Sequence, residues 1–213
     1  MCNAEPLQGE KMSKKGTFIC IEGLDGCGKT TQAKLLARKL DKSQNALYTA
    51  EPSRGKIGNF IRKRCLYGKK RLSIVVEALL FAADRVEHVE NELLPALREG
   101  RIVISDRYVY SSLAYQGAAG LSLEWIEKVN KHALKPDLSI FIDVELKTVL
   151  KRLKSKKSVM ENMKTLMKVR DIYLSFVAKG ELVRLDGNRA RDEVAEALYA
   201  LVLKFLETQQ LLS

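Results

Sequence analysis

The chain has 213 residues, 46% of them hydrophobic, which is typical of one folded domain with room for an inserted lid. Lysine and arginine number 37 against 26 acidic residues, and the formal charge of +11 favours nucleic acid, a membrane surface or phosphorylated small molecules as partners. No apolar run approaches the ~18 residues that span a membrane, and residues 1–10 lack the apolar core of a secretory signal. The four cysteines form no C-x-x-C pair, which predicts reduced thiols in a cytoplasmic protein.

Residues 1–15 are expected to form a flexible N-terminal extension, and residues 16–213 a single domain. The first predicted strand covers residues 17–22 and is followed by G-x-x-x-x-G-K-T and a helical pattern at 29–40. This context indicates a phosphate-binding loop, because glycines let successive N–H groups face a phosphate chain and the new helix adds its positive end. Lys29 can reach the β- and γ-phosphates, and Thr30 can hold Mg²⁺. The predicted triphosphate-binding residues are Gly23, Leu24, Asp25, Gly26, Cys27, Gly28, Lys29, Thr30 and Thr31.

Further strand patterns follow along the chain, each nearly continuous in apolar or β-branched residues. They cover residues 46–51, 101–106, 138–144 and 182–186. Helical patterns fill the gaps, at residues 57–67, 73–98, 122–133, 145–155, 162–179 and 190–208. Strands that alternate with helices predict a three-layer α/β fold, with a parallel sheet covered by helices on both faces.

An acidic residue ends the third strand pattern. Asp106 is expected at the carboxyl edge of the sheet beside the phosphate loop, where it can hold Mg²⁺ or a water bound to it. Arg107 follows and places a cation near the phosphates. The guanine-reading motif N-K-x-D is incomplete, since residues 130–133 read N-K-H-A, and this argues against a GTPase switch.

The helical pattern at 73–98 carries Phe81 and Arg85 four residues apart, and therefore on one face. Such a pair could stack on a nucleic base and hydrogen-bond its edge, although a core aromatic and a surface salt bridge are the alternatives for each residue alone. The apolar stripe of this helix fits either core packing or a subunit interface. The basic segment at 155–160 fits either a mobile lid or an exposed turn.

Four motifs occur in order along the chain: E-G-L-D-G-C-G-K-T-T-Q from residue 22, E-P at 51–52, L-L-F-A-A-D-R at 79–85 and D-R-Y-V-Y-S-S-L-A-Y-Q-G at 106–117. With them the chain resembles the thymidylate kinase family from about residue 16 to its end. The resemblance implies a P-loop kinase domain, with five parallel strands in the order 2-3-1-4-5 and a short lid around 152–161. It implies transfer of the γ-phosphoryl group of ATP to dTMP, with Mg²⁺, by a homodimer that binds these small molecules and neither a membrane nor, stably, nucleic acid.

The resemblance also implies residue roles. Asp25 would accept a hydrogen bond from the sugar 3′-OH, Phe81 would stack on thymine and Arg85 would bond the base edge. Tyr115 would pack where a ribose 2′-OH would lie. The implied acceptor-binding residues are Asp25, Glu51, Pro52, Arg54, Phe81, Arg85, Arg107, Ser111, Ser112, Tyr115 and Gln116, and the implied metal-binding residues are Thr30 and Asp106.

A catalytic cation is missing from the phosphate loop, where Gly26 stands at the position at which some family members have arginine. The lid then has to supply the charge, and its candidates are Arg152, Lys154, Lys156 and Lys157. The predicted catalytic residues are Lys29, Asp25, Arg107, Arg152 and Lys156. Three alternatives stay open: a kinase of another nucleoside or nucleotide, an ATPase stimulated by nucleic acid, and a family member that has lost activity.

Overall fold

A computed structural model describes residues 16–66, 72–153 and 163–212 of the chain. The expected N-terminal extension and most of the expected lid, including Lys156, lie outside the described residues, so the predicted domain division stays a prediction.

Five parallel strands form the sheet, in the order β2-β3-β1-β4-β5. They are β1 (Thr17–Glu22), β2 (Ala46–Ala50), β3 (Ile102–Asp106), β4 (Leu138–Asp143) and β5 (Val183–Asp186). The central strand β1 pairs with β3 and β4, and its Ile21 stands opposite Asp106 on one side and Ile140 on the other. The predicted fold class and strand order are confirmed.

Helices cover both faces of this sheet. Those in the described part of the chain are α1 (Lys29–Gln44), α2 (Lys56–Ile61), α3 (Ile74–His88), α4 (Leu94–Arg98), α5 (Val109–Ala118), α6 (Leu123–Val129), α7 (Leu146–Leu153), α8 (Met163–Ala178) and α9 (Arg191–Leu212). Alternation along β1 separates two cores: Ile19 and Ile21 pack in the larger cluster, and Phe18 and Cys20 in the smaller cluster with Leu93.

The long predicted helix at 73–98 is present, with a local irregularity. Ser73 caps α3 by accepting a hydrogen bond from Val76 N at 3.3 Å. The helix widens into a π-helical turn at Val89–Leu93 before α4, which has Pro95 in its first turn. Proline lacks an N–H and crowds the carbonyl four residues earlier, so the wider turn accommodates it.

Helix α5 was not among the predicted helices. It has no side-chain cap from its own N-cap residue, Tyr108. The first amides are instead held by Glu22 at the end of β1, which accepts from Tyr108 N at 2.8 Å and from Ser111 N at 3.2 Å. Because this cap comes from a distant part of the chain, no local sequence pattern predicts where the helix begins.

Candidate active site

A cavity of about 630 Å³ opens at the carboxyl edge of the sheet, between the phosphate loop, α3, α5 and the end of α7. Its volume is suited to a nucleotide-sized ligand. One end is lined by residues predicted to bind the triphosphate: Asp25, Gly26, Gly28, Lys29, Thr30 and Thr31.

The phosphate loop owes its shape to glycines with positive φ. Gly26 has a φ of 82°, and a Cβ there would stand 3.2 Å from the Leu153 side chain. Gly28, with a φ of 99°, is the N-cap residue of α1, and it lines the cavity together with Lys29, Thr30 and Thr31, so the positive end of this helix lies at the cavity. The predicted order of strand, loop and helix is thereby matched by the backbone, and phosphate binding by this loop stays a prediction.

Thr30 and Asp106 meet beside this loop. Thr30 Oγ1 donates to Asp106 Oδ2 at 2.5 Å, and the buried Asp106 Oδ1 has no hydrogen-bond partner among the described residues. An orphaned carboxylate oxygen next to a hydroxyl suits a hard cation. In the described part of the chain no group of three or more histidine, cysteine or acidic residues could hold a metal alone.

Three charges converge at the middle of the cavity. Asp25 Oδ1 accepts from Lys29 Nζ at 3.1 Å and also from Arg107 Nη2. Burial would raise the pKa of Asp25, but the charges of Arg107 and Lys29 outweigh it and hold the pKa well below its ordinary value. Asp25 is therefore a carboxylate that orients two cations, and it is not a proton carrier near neutral pH.

The backbone aims Arg107 at this point. Arg107 has a φ of 74°, unusual for a residue with a side chain, and its N–H donates to Ile21 O at 3.0 Å. Ser105 Oγ donates to the Arg107 carbonyl at 2.7 Å, and Arg107 Nη1 donates to Ser111 Oγ at 2.8 Å. Strained backbone held by several bonds is a common device for placing a functional side chain.

Tyr115 joins the phosphate loop to this arginine. Its hydroxyl accepts from Asp25 N at 3.0 Å and from Arg107 Nη2 at 3.4 Å, and the Arg107 guanidinium lies 4.9 Å from its ring centre. The ring therefore has a fixed orientation in the cavity wall.

Glu22 anchors α5 beneath the cavity. Besides the two amides, its carboxylate accepts from Ser111 Oγ at 2.6 Å and from Tyr173 OH at 3.0 Å. Complete burial raises the pKa of Glu22, against the effect of these donors. Through Ser111 this carboxylate positions the helix that carries Ser112, Tyr115 and Gln116.

Arg85 lies at the far end of the cavity and is 1% exposed. It donates to Glu51 Oε2 through Nη2 at 2.6 Å and Nε at 3.0 Å, to Ser112 Oγ at 3.2 Å, and to Asn130 Oδ1. Its guanidinium lies 5.1 Å from the ring centre of Tyr108. Of the alternatives from sequence, the surface salt bridge is wrong for Arg85, because the residue is buried and lines the cavity.

The cavity is also lined by eight other residues predicted to bind the acceptor nucleotide. They are Glu51, Pro52, Phe81, Arg107, Ser111, Ser112, Tyr115 and Gln116. Phe81 is half-buried, one helical turn before Arg85 on α3. Gln116 is 4% exposed, and its buried Oε1 has no hydrogen-bond partner among the described residues. The cavity therefore offers an aromatic face, a cationic donor and a neutral acceptor.

Five predicted site residues in the described part of the chain do not line this cavity: Gly23, Leu24, Cys27, Arg54 and Asp106. The structure does not bring Arg54 to the wall, because its side chain is exposed on the loop after β2. Lys156 lies outside the described residues. Arg152 does line the cavity, and its Nη1 donates to Gly26 O at 3.2 Å and Cys27 O at 3.3 Å, directly beside the phosphate loop.

A second cavity of about 230 Å³ adjoins the outer side of the phosphate loop, and Arg152 stands between the two. Its wall includes Gln32, Gly187, Arg189 and Arg191. Gln32 Nε2 donates to Arg191 O at 2.8 Å, and the buried Gln32 Oε1 has no partner among the described residues. The phosphate loop thus lies between two cavities.

Several positioning residues carry no signal in the sequence. Glu22, Asn130 and Tyr173 hold cavity residues from strand, turn and helix positions far apart in the chain. His88 was also missed; it lies one turn after Arg85 on α3 and contacts Glu51. The only available signal was polar residues within otherwise apolar runs, such as Glu22 at the end of β1.

A phosphate loop beside a cation cluster, joined in one cavity to an aromatic and hydrogen-bonding face, defines a P-loop phosphotransferase that acts on a nucleotide. Comparison with known proteins agrees. The sequence profile of the thymidylate kinase family matches residues 21–198.

The chain is similar to several proteins described as probable thymidylate kinases. It is 42% identical over 197 residues to one from Pyrococcus abyssi, covering 88% of this chain and 96% of that protein. It is 49% identical over 168 residues to one from Pyrococcus horikoshii, covering 75% and 82% of the two chains. A Staphylothermus marinus protein is 42% identical over 195 residues, covering 90% and 96%.

The chain belongs to the thymidylate kinase family, and it is an enzyme of the nucleoside monophosphate kinase class. The family expected from the four motifs is confirmed. Within the described residues, no helix is long and apolar enough to cross a membrane.

Proposed function

We propose that the chain transfers the γ-phosphoryl group of ATP to the 5′-phosphate of dTMP, giving dTDP. The observation that carries this proposal is the single cavity that joins the cations of the phosphate loop to Phe81, Arg85 and Gln116. The two ends suit the two parts of an acceptor nucleotide, its phosphate and its base.

The cations act on the charge of the transferred group. Lys29 and Arg107 flank Asp25 and face the cavity, where the charge of the transferring phosphoryl group spreads over its oxygens. The acceptor phosphate has a second pKa near 6, so it is largely dianionic at neutral pH and needs no general base to attack. The transfer is therefore a direct in-line displacement, in which the enzyme positions the reactants and neutralises charge.

Thr30 and Asp106 would hold Mg²⁺. The unpartnered Asp106 Oδ1 and the Thr30 hydroxyl fit the oxygen ligands that this ion prefers. When bound, the ion neutralises charge on the β- and γ-phosphates. The second cavity, next to Gln32 and Arg191, is the space left for the nucleoside of ATP.

Hydrogen-bond polarity favours thymine over cytosine. Thymine presents O4 as an acceptor beside the N3–H donor, and these match the Arg85 donor and the Gln116 Oε1 acceptor. Cytosine reverses both groups, so a donor would face Arg85 and an acceptor would face Gln116. A site with buried polar groups rejects such a mismatch strongly. Phe81 supplies the stacking face.

Tyr115 selects deoxyribose over ribose. Its ring is fixed by the Asp25 amide and by Arg107, so it cannot swing aside easily to admit a ribose 2′-OH. Asp25 has its second carboxylate oxygen available for the 3′-OH while Oδ1 accepts from Lys29 and Arg107.

Arg152 is the described candidate for the catalytic charge that Gly26 does not supply. It lies on both cavities at the point where the phosphate chain would cross between them. Arg152→Ala should lower kcat by roughly 10²-fold, as expected for loss of one donor to the transition state. Lys151→Ala is the matched control, because Lys151 is an exposed cation beside it that lines neither cavity. Equal kcat values for the two variants would remove Arg152 from the mechanism.

A homodimer is also proposed, through the outer face of α3. Val75, Val76 and Leu79 are 43–47% exposed there, next to Phe60 of α2 at 46%. These large apolar side chains lie opposite the face that lines the active site, so a second copy could cover them without closing the cavity. Light scattering should give twice the monomer mass, and Leu79→Glu should give the monomer mass.

The experiment that tests the function is a substrate panel with ATP and Mg²⁺. Formation of dTDP from dTMP, with dCMP and the ribose counterpart of dTMP converted far more slowly, supports the proposal. Fast conversion of another nucleotide would reassign the acceptor. ATP hydrolysis that depends on DNA and on no nucleotide acceptor would support the nucleic-acid alternative. The cytoplasmic location stays a prediction; it is supported by three buried cysteines, Cys20, Cys27 and Cys65, which form no disulfide within the described residues.

A further inference from the structure

A largely buried chain of hydrogen bonds runs from Arg85 through Glu51 to His88, which does not line the cavity. Glu51 Oε2 accepts from Arg85, and Glu51 Oε1 lies 3.3 Å from His88 Nδ1. His88 Nε2 lies 2.7 Å from Thr49 Oγ1 and 3.4 Å from Glu92 Oε2. His88 itself is 2% exposed and lines neither cavity.

The two carboxylate oxygens of Glu51 therefore contact different residues. One fixes the Arg85 guanidinium through two bonds, and the other is fixed by His88. Glu51 also lines the cavity, so it could rotate toward that space if His88 did not hold Oε1. Arg85 would follow Glu51, because two charge-assisted hydrogen bonds join its guanidinium to Glu51 Oε2.

We propose that His88 is a positioning residue for the acceptor: through Glu51 it holds Arg85 in the orientation that receives the base. This inference rests on the proposed function, in which Arg85 contacts the acceptor base. His88 does not contact the substrate. It acts through the hydrogen bond between its Nδ1 and Glu51 Oε1, which are 3.3 Å apart.

The charges around His88 favour its imidazolium form. In that form Nδ1–H donates to Glu51, and Nε2–H donates to Thr49 or Glu92. Burial lowers the pKa of His88, but the hydrogen bonds and charges of Glu51 and Glu92 outweigh it and raise the pKa to about 9. The charged and titratable groups that face this cluster are Glu51 from the loop after β2, Glu92 from the turn after α3, Asp84 and Arg85 from α3, Arg54 from the loop after β2, and Tyr108 before α5.

Two neutral substitutions separate the contacts of His88. His88→Asn places its amide near the position of Nδ1 and can still donate to Glu51, whereas His88→Gln reaches the position of Nε2 and can still contact Thr49. We expect His88→Gln to raise the KM for dTMP about tenfold. The KM for dTMP of His88→Asn should be much closer to that of the wild type. Neither should change the KM for ATP, and kcat at saturating dTMP should change less than twofold in His88→Asn.

Different results lead to different conclusions. If His88→Gln is folded and its KM for dTMP stays within twofold of wild type, the proposal is overturned. Equal losses in both variants, or a parallel rise in the KM for ATP, would indicate a general structural role and also overturn it. A wild-type protein that does not convert dTMP at all would refute the proposed function instead.

Glu92→Gln provides the test should neither His88 variant fold. Glu92 is 37% exposed and faces His88, so the substitution removes one carboxylate from the imidazolium without emptying a core site. The neutral Nδ1–H tautomer of His88 still donates to Glu51, but more weakly than the imidazolium, so we expect the KM for dTMP of the wild type to rise only a few-fold as the pH passes about 9. This rise should move to lower pH in Glu92→Gln. Ionisation of the thymine imide belongs to the substrate and does not move between variants, so an unmoved profile would contradict the proposal.

Discussion

Gln116→Leu tests how the cavity selects a base. Gln116 Oε1 is buried without a partner among the described residues, so the amide is poised to accept from the N3–H of thymine. A buried neutral hydrogen bond contributes about 1–1.5 kcal/mol, which corresponds to roughly a 5–13-fold rise in the KM for dTMP. Since Oε1 gives up no protein partner, the free energy of unfolding should not fall.

The assay is steady-state transfer at saturating ATP, with dTMP and dCMP as acceptors and urea unfolding of each protein alongside. Gln32→Leu is the matched control, because Gln32 also carries a buried Oε1 without a described partner but lines the second cavity. It should leave the KM for dTMP unchanged. The dCMP reaction should stay slow in Gln116→Leu, because the cytosine amine still faces Arg85. A KM for dTMP within twofold of wild type, or an equal rise in the control, would refute the assignment.

Three further predictions follow from the cavity and its surroundings. Lys29→Met should lower kcat at least about 10²-fold while leaving a folded protein, and near-normal turnover would refute the phosphate-loop role. Tyr115→Ala should narrow the preference for dTMP over its ribose counterpart, whereas unchanged discrimination would remove Tyr115 from sugar selection. The pKa of His88 is about 9 when folded and about 6.5 when unfolded, so its contribution to stability is complete below about pH 6.5 and is lost as the pH rises through 9. The free energy of unfolding, measured with urea, should fall by on the order of 3 kcal/mol across that pH range in the wild type. This fall should be absent in His88→Asn. A wild-type free energy of unfolding that does not change with pH would show that His88 is not protonated.

The parts of the site that depend on neighbouring residues were predictable from the sequence. The phosphate loop combines a buried strand, spaced glycines and a helix start, and each of these is a local signal. Asp106 could be placed because parallel strands end at one edge of a sheet. Phe81 and Arg85 could be placed on one face because a helix repeats about every 3.6 residues.

The residues that hold the cavity-lining residues in place could not be predicted, because their contacts join distant parts of the chain. Glu22 caps α5 from 86 residues earlier in the chain, and Asn130 meets Arg85 across 45 residues. Glu51 and His88 are 37 residues apart, on a loop and a helix, and nothing in either local pattern points to the other. A sequence motif names the residues that face a ligand, and the three-dimensional fold determines what holds them there.

We propose that one cavity carries both the phosphate loop and a thymine-selective acceptor site. This proposal is tested by transfer of the labelled γ-phosphoryl group of ATP to an equimolar mixture of dTMP and dCMP, with Mg²⁺. We expect label in dTDP, with the dCMP product lower by at least about 10²-fold. Comparable label in both products, or release of inorganic phosphate with no labelled nucleotide, would contradict it.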